Sequence, residues 1–409
     1  MKKIMMMALM VAAASSANAQ DNLWKKAQSL CDANKLEEAI TTITPCLTSD
    51  QTLKKADAWN TLFNIDYAIF LRENTIEVNN KKNKTQIPYD TVAYYNGIVG
   101  ALKAAMECDK YDATPNEKGK VKIRFREING NKVFLVRPQV INAGLAAYNK
   151  KDYAKAFDNF SLYIESAKAP LFSAIKTDGP DKYLSTVAYY ASLVAYSNKN
   201  YDGVKKYIDI ALADTSVKRD AMELKVYIYK DTKDSVNYLN ALKEAHASYP
   251  TESKYFDMLV NYYLSAGNPE ATKKFASEEM AKDPNNKSAL YVNGVVLMNQ
   301  KMWDEAVVSF KKAIELDPEY MEANFNAGVC LNSKASEMRD KLADKRGNLT
   351  MAQYNSIIPI VKESCIYLEK ARQIAPDRKD LWAYPLYTVY YALKNTAKTA
   401  EMEKLLKIK

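Results

Sequence analysis

The stretch NGVVLMNQKMWDEAVVSFKKAIELDP, Asn293 to Pro318, decides the fold. Leu290, Gly294 and Leu297 stack on one face of a helix, and Ala306, Phe310 and Ala313 stack on one face of a second. Two antiparallel helices approach closely only where the facing side chains are small. The spacing therefore predicts a helical hairpin, with Gly294 opposite Ala306 and Phe310 as the knob beside them. Asp317 and Pro318 end it, because the residue before a proline is driven out of the helical region.

The pattern recurs. Gly144, Ala156, Phe160 and Tyr163 repeat it, and Val204, Ile208 and Ala211 repeat its second half. Leu242, Ala245 and Pro250 follow, then Phe275 and Pro284, at intervals of roughly 34 residues, the tetratricopeptide period. Weaker copies lie at Ala39, Ile43 and Cys46, and at Leu368, Ala371 and Pro376. The expectation is an all-α tetratricopeptide-repeat solenoid, a right-handed superhelix of antiparallel helix pairs. With 11 Gly and 13 Pro in 409 residues and 48% hydrophobic content, the chain suits one continuous stack with a long buried core.

The first residues read as an address. Lys2 and Lys3 precede an apolar stretch from Ile4 to Ala14, too short to span a bilayer, and Ala17-Asn18-Ala19 has the form of a cleavage site. The mature chain is expected to begin at Gln20, in a bacterial periplasm, with no lipid anchor and no membrane insertion. The formal charge of +9 falls to +7 without the two leader lysines, which mostly describes a solvated surface. The densest basic run, Lys118 to Arg126, lacks the stacking or groove-entering element that nucleic acid needs.

Two segments break the period. Between about residues 72 and 136, a repeat opened by Trp59 and Leu62 is interrupted by ENTIEVNNKKNKTQIPYD. Further on, Val121, Ile123 and Phe125 alternate before Asn129-Gly130, as a β-hairpin would, while Phe125, Ile128 and Leu135 share a helical face at the cost of an internal glycine. The second break lengthens a late hairpin, whose two helices are expected to turn at Gly347-Asn348. The resulting partition is a leader at 1–19, N-terminal repeats at 20–136 with the insertion around 72–136, and regular repeats at 137–320. An extended-hairpin repeat at 321–378 and capping helices at 379–409 complete it.

DTVAYYNGIVGALKAAMECD, PNEKGKVK at Pro115 to Lys122 and RPQVINAG at Arg137 to Gly144 resemble a family of exported tetratricopeptide-repeat proteins of Bacteroidetes. The long late hairpin followed by YLEKARQIAPD is similar to theirs as well. The resemblance implies an all-helical fold and a helix for RFREING, and it assigns no functional residue.

No H-E-x-x-H, C-x-x-C or phosphate-loop pattern occurs, so metal, redox and nucleotide chemistry have no motif and no cofactor is expected. His246 is the only histidine and reads as an exposed helix residue. Cys31, Cys46 and Cys108 fall on apolar stripes, while Cys330 and Cys365 lie equally far on either side of the late turn, which predicts proximity. The 29 tyrosines are more unusual. In the register of Gly144 and Gly294, the inward positions of successive first helices are Leu145 and Tyr148, then Tyr189, Leu193 and Tyr196, then Glu223, Tyr227 and Lys230. Asp257, Asn261 and Leu264 follow, then Tyr291, Val295 and Met298, then Phe325 and Asn332.

The candidate groove residues are Leu145, Tyr148, Tyr189, Tyr196, Tyr227, Asn261, Tyr291 and Phe325. Tyrosine offers rigid area with a polar tip, which suits a protein or peptide partner. The leading expectation is a non-enzymatic periplasmic scaffold; the alternative is a protein that binds glycans or envelope polymers.

Overall fold

Each element begins from an amphipathic helix that cannot bury its apolar face alone. The structure, a computed structural model, describes residues 17–49, 52–116 and 118–408. The leader reading rests largely on residues 1–16, which lie outside the described residues. Among the described residues the chain forms nineteen α-helices. They are α1 (Ala17–Asp32), α2 (Leu36–Ile43), α3 (Ala56–Asn83), α4 (Thr91–Asp112), α5 (Arg126–Phe134), α6 (Gln139–Asn149) and α7 (Tyr153–Ser166). Then come α8 (Leu184–Ser197), α9 (Tyr201–Ala211), α10 (Thr215–Asp231), α11 (Ser235–Ser248), α12 (Ser253–Ser265) and α13 (Pro269–Lys282). The last six are α14 (Lys287–Asn299), α15 (Trp303–Leu316), α16 (Met321–Leu342), α17 (Met351–Ile374), α18 (Lys379–Ala392) and α19 (Thr396–Leu406). The fold is an all-α, tetratricopeptide-like solenoid of antiparallel helix pairs. No described helix is long and apolar enough to cross a membrane.

The chain divides into two compact units, residues 1–241 and 242–409, with the division inside α11. Nothing in the repeat spacing marks that division. In the first unit one core cluster runs from Phe63 to Ile228 along α3 to α10. In the second, α14 to α16 enclose Leu297, Phe310 and Cys330, while α16 to α19 enclose Val361, Leu368 and Trp382.

A turn motif not anticipated from the sequence closes many of the pairs. A residue with left-handed backbone ends the first helix, and a backbone N–H one residue later reaches back five positions. Lys151, Lys199, Lys233, Lys301 and Lys394 hold that conformation, with φ between 55° and 60°. The N–H groups of Asp152, Asn200 and Asn395 donate to the carbonyls of Ala147, Ala195 and Tyr390 at 3.0, 2.8 and 3.0 Å. The side chains of Asp152, Asn200 and Asn395 then cap the next helix. Lysine at these positions carries a strain that glycine would avoid, and the captured carbonyls offset it.

The quoted hairpin forms as α14 and α15, but the close contact differs from the expected one. A Cβ on Gly294 would lie 2.6 Å from the ring of Phe310, which is fully buried. The small residue therefore accommodates the Phe310 ring, and Ala306 is not among the atoms nearest that Cβ. Gly144 stands against Phe160 in the same way.

The two breaks in the period are also helical. The segment read as an interruption continues α3 to Asn83, which leaves only Lys84 to Asp90 as the connection to α4. RFREING forms α5. Its glycine has a packing reason: a Cβ on Gly130 would lie 2.5 Å from the carbonyl oxygen of Leu171. The end of the basic run is tied down by acids at the end of α4 and the start of α3. Arg126 forks onto Asp109 at 2.6 and 3.1 Å, and Arg124 bonds Asp57 at 2.9 and 3.0 Å and Asp112 at 3.0 Å.

The late hairpin is the pair α16 and α17, with Gly347 at φ 81° in the turn between them. All five cysteines are free thiols. Cys330 packs with the cluster shared by α14 to α16, and Cys365 with that of α16 to α19. Equal distance from a turn sets a level along two helices; the rotation of each helix sets which way a side chain faces.

Candidate functional site

Helices α6, α8 and α10 are the first helices of three successive pairs, and each buries one face. Ala143, Gly144 and Ala147 of α6, Ala188, Ala191 and Ala195 of α8, and Leu224 and Ile228 of α10 line the interior. The residues expected at the inward positions of the array lie off those faces. Leu145, Tyr148 and Tyr227 are 37%, 40% and 38% exposed. Tyr189 and Tyr196 are half-buried and rest on the core.

Their neighbours make this face charged as well as aromatic, with Lys230 exposed among the carboxylates. Tyr196 donates its hydroxyl to Asp231 Oδ2 at 2.6 Å, which joins α8 to α10, and its ring lies 6.4 Å from that of Tyr201. That hydrogen bond, then burial and the charge of Asp231, push the Tyr196 hydroxyl up to about 12. Tyr227 donates to Glu223 at 3.0 Å within α10. Burial raises the Tyr189 hydroxyl, and the charges of Asp220 and Glu223 add to the rise. The Tyr148 ring lies 5.9 Å from that of Tyr153. The surface thus combines polarisable rings with the carboxylates Asp220, Glu223 and Asp231.

The remaining candidates belong to the second unit. Asn261 is exposed on α12. Tyr291 is half-buried, 5.8 Å from Phe310 and 5.1 Å from Tyr320, and its hydroxyl accepts from Asn326 at 3.2 Å. Phe325 packs against the Val361 and Trp382 cluster. Tyr291 and Phe325 therefore serve packing more than surface.

His246 corrects the sequence reading. It is 7% exposed, and its Nε2 lies 2.9 Å from Glu279 Oε2. The signal was present in Leu242, Ala245, His246 and Tyr249, which share one helical face. Sequence reasoning also passed over Tyr384 and Tyr391 of α18, 59% and 69% exposed, which flank Tyr387 with ring centroids 6.2 and 6.3 Å apart. Among the described residues no group of three or more His, Cys, Asp or Glu could hold a metal ion. The sole histidine faces a carboxylate already bonded to Lys282.

With the hairpin geometry in view, residues 288–320 match the tetratricopeptide repeat family, and they span α14 and α15. Over this hairpin the chain is similar to a tetratricopeptide repeat. Solved structures give wider but looser matches. YrrB, described as a tetratricopeptide-repeat protein with an unusual peptide-binding site, is 18% identical over 51% of this chain and 92% of its own, with a TM-score of 0.32. A tetratricopeptide-repeat protein from Bacteroides fragilis is 20% identical over 66% of this chain and 98% of its own, with a TM-score of 0.31. The C-terminal part of a tetratricopeptide repeat-containing protein from Cytophaga hutchinsonii is 14% identical over 64% of this chain and 93% of its own, with a TM-score of 0.39. No curated protein matches the chain.

Proposed function

We propose that the chain is a non-catalytic interaction scaffold and that the face formed by α6, α8 and α10 holds an extended peptide or protein segment. The observation that supports this most is the exposure of Leu145, Tyr148 and Tyr227 on first helices whose opposite faces are fully packed. Tyrosine rings lose little side-chain freedom on binding and are enriched at binding hot spots. The carboxylates Asp220, Glu223 and Asp231 repel a chain terminus that ends in a carboxylate. They favour an internal segment carrying Lys or Arg, which also stacks on tyrosine faces.

Tyr148 and Tyr227, 40% and 38% exposed, test this better than Tyr196, which rests on the core. Peptides selected from a displayed random library against the immobilised protein should be rich in Lys, Arg and apolar residues, and should bind more weakly as salt rises. The double variant Tyr148→Ser, Tyr227→Ser is expected to lose at least about tenfold in affinity for them, a difference of roughly 1.4 kcal/mol. Its melting curve should stay unchanged. A stable double variant that binds every selected peptide as before would refute the assignment.

The scaffold is proposed to act in a bacterial periplasm. The leader pattern from Lys2 to Ala19 and the resemblance to exported proteins of Bacteroidetes support export. N-terminal sequencing of the secreted form should begin at Gln20; a mature protein that begins at Met1 would exclude cleavage.

A further inference from the structure

We propose that a cleft between α11, α12 and α13, separate from the tyrosine face, binds a small carboxylate with an apolar body. The cleft has a volume of about 370 Å³ and lies within residues 242–409. Lys243, Lys274 and Lys282 stand around His246, and Leu259 and Phe275 supply apolar wall. Pockets of this size suit a molecule of one ring or a few carbons, held by a few convergent polar groups.

His246 is built into the site. Its ring packs 6.2 Å from Phe256 and 5.7 Å from Phe275. Its Nε2 faces Glu279, which also accepts from Lys282 Nζ at 2.6 Å. Burial alone would raise the Glu279 carboxyl, but the hydrogen bonds from Lys282 and His246 bring it below the usual range. An ionised carboxylate can only accept, so Nε2 must carry the proton. The other ring nitrogen is then left over. Nδ1 is buried and has no hydrogen-bond partner among the described residues. Burial of a polar nitrogen with no bond in return is costly, and it is uncommon enough to call for a cause.

A bound carboxylate supplies one. On binding, Nδ1 would take up one proton from solvent, and the ring would then donate through both nitrogens, Nε2 to Glu279 and Nδ1 to the ligand. The walls favour an anion: three ammonium groups line the cleft against two carboxylates, Glu278 and Glu279. Glu279 is already bonded to Lys282, and Glu278 meets Lys274 only at 4.0 Å, with both side chains largely exposed. Lys243 on the rim is exposed and free to turn toward a ligand. Tyr263 offers a second aromatic surface for the apolar body.

A chain with one histidine contains its own reporter. The untagged full chain labelled with ¹⁵N-histidine gives one pair of imidazole nitrogen signals, which distinguish the two nitrogens directly. Phenylacetate is the probe, and phenylacetamide its neutral counterpart. Phenylacetate is expected to shift Nδ1 saturably at millimolar concentration, and phenylacetamide to shift it little. Lys243→Ala, at an exposed position, should weaken phenylacetate roughly fivefold, the effect of losing one partly screened charge contact, with the melting curve unchanged. No saturable shift, an equal shift with the amide, or unaltered affinity in Lys243→Ala would each overturn the proposal. Because the tyrosine face plays no part in this measurement, its outcome is separable from the peptide-binding assignment.

Discussion

Arg137→Ala is expected to be among the most destabilising single substitutions in the chain, at about 3 kcal/mol. Arg137 is 5% exposed and stands just before α6. Its guanidinium donates to Ser166 Oγ at 2.8 Å, to the carbonyl of Tyr163 at 2.7 Å and to Asp181 at 2.7 Å. It also lies 3.8 Å from the centre of the Tyr163 ring. One side chain thus joins the entry to α6, the end of α7 and the segment that leads into α8. Removal leaves the Ser166 hydroxyl without the Arg137 donor, leaves the Tyr163 carbonyl with the Ser166 hydroxyl at 2.8 Å, and leaves Asp181 with the Tyr163 hydroxyl at 2.9 Å and the Tyr183 N–H at 3.0 Å but no cation. Because Asp181 keeps some contact with water, the cost falls at the lower end of the range for broken buried pairs. Arg137→Lys restores the charge but not the planar fork, so it should recover only part of the loss. Chemical denaturation of the three proteins checks this. A loss below about 1 kcal/mol for the alanine variant would place Arg137 among ordinary surface pairs.

Gly294→Leu is expected to cost about 1–3 kcal/mol or more through overpacking. Even the first added carbon would lie 2.6 Å from the Phe310 ring, and that ring is fully buried with no room to retreat. The two helices must separate. Because each pair is stable only through its neighbours, the loss should spread to the pairs on either side. Glu315→Ala, on the exposed face of α15, is the silent control. Equal melting temperatures for these two variants would contradict the packing of Gly294 on Phe310. Gly144→Leu should behave like Gly294→Leu, since Phe160 stands over Gly144 in the same way.

Gly294 and Phe310 are 16 residues apart within one hairpin, and the same pair recurs at Gly144 and Phe160. A contact that local, repeated in register, is written in the order of residues. The inward positions of α6, α8 and α10 follow from that register, and so Leu145, Tyr148 and Tyr227 could be named before their exposure was known. Arg137 could be seen only as part of a motif, because its partners come from two later segments whose approach no spacing states.

His246 shows the limit most clearly. Its sequence neighbourhood places it beside an apolar stripe, but its burial depends on Glu279, 33 residues further on, and on Phe256 and Phe275. The RFREING segment is similar. Local preference left helix and hairpin open, and the carbonyl of Leu171 over Gly130 makes the internal glycine an asset of a helix. By itself, then, the sequence determined the helix pairs, their period and the buried stripe of each helix, since periodicity records which face of each helix avoids water. Only the tertiary structure decided where buried charges meet, which way each cysteine faces and where the two units divide. Those depend on helix rotation and on partners distant in the chain, and the repeat pattern is the same whichever partner arrives.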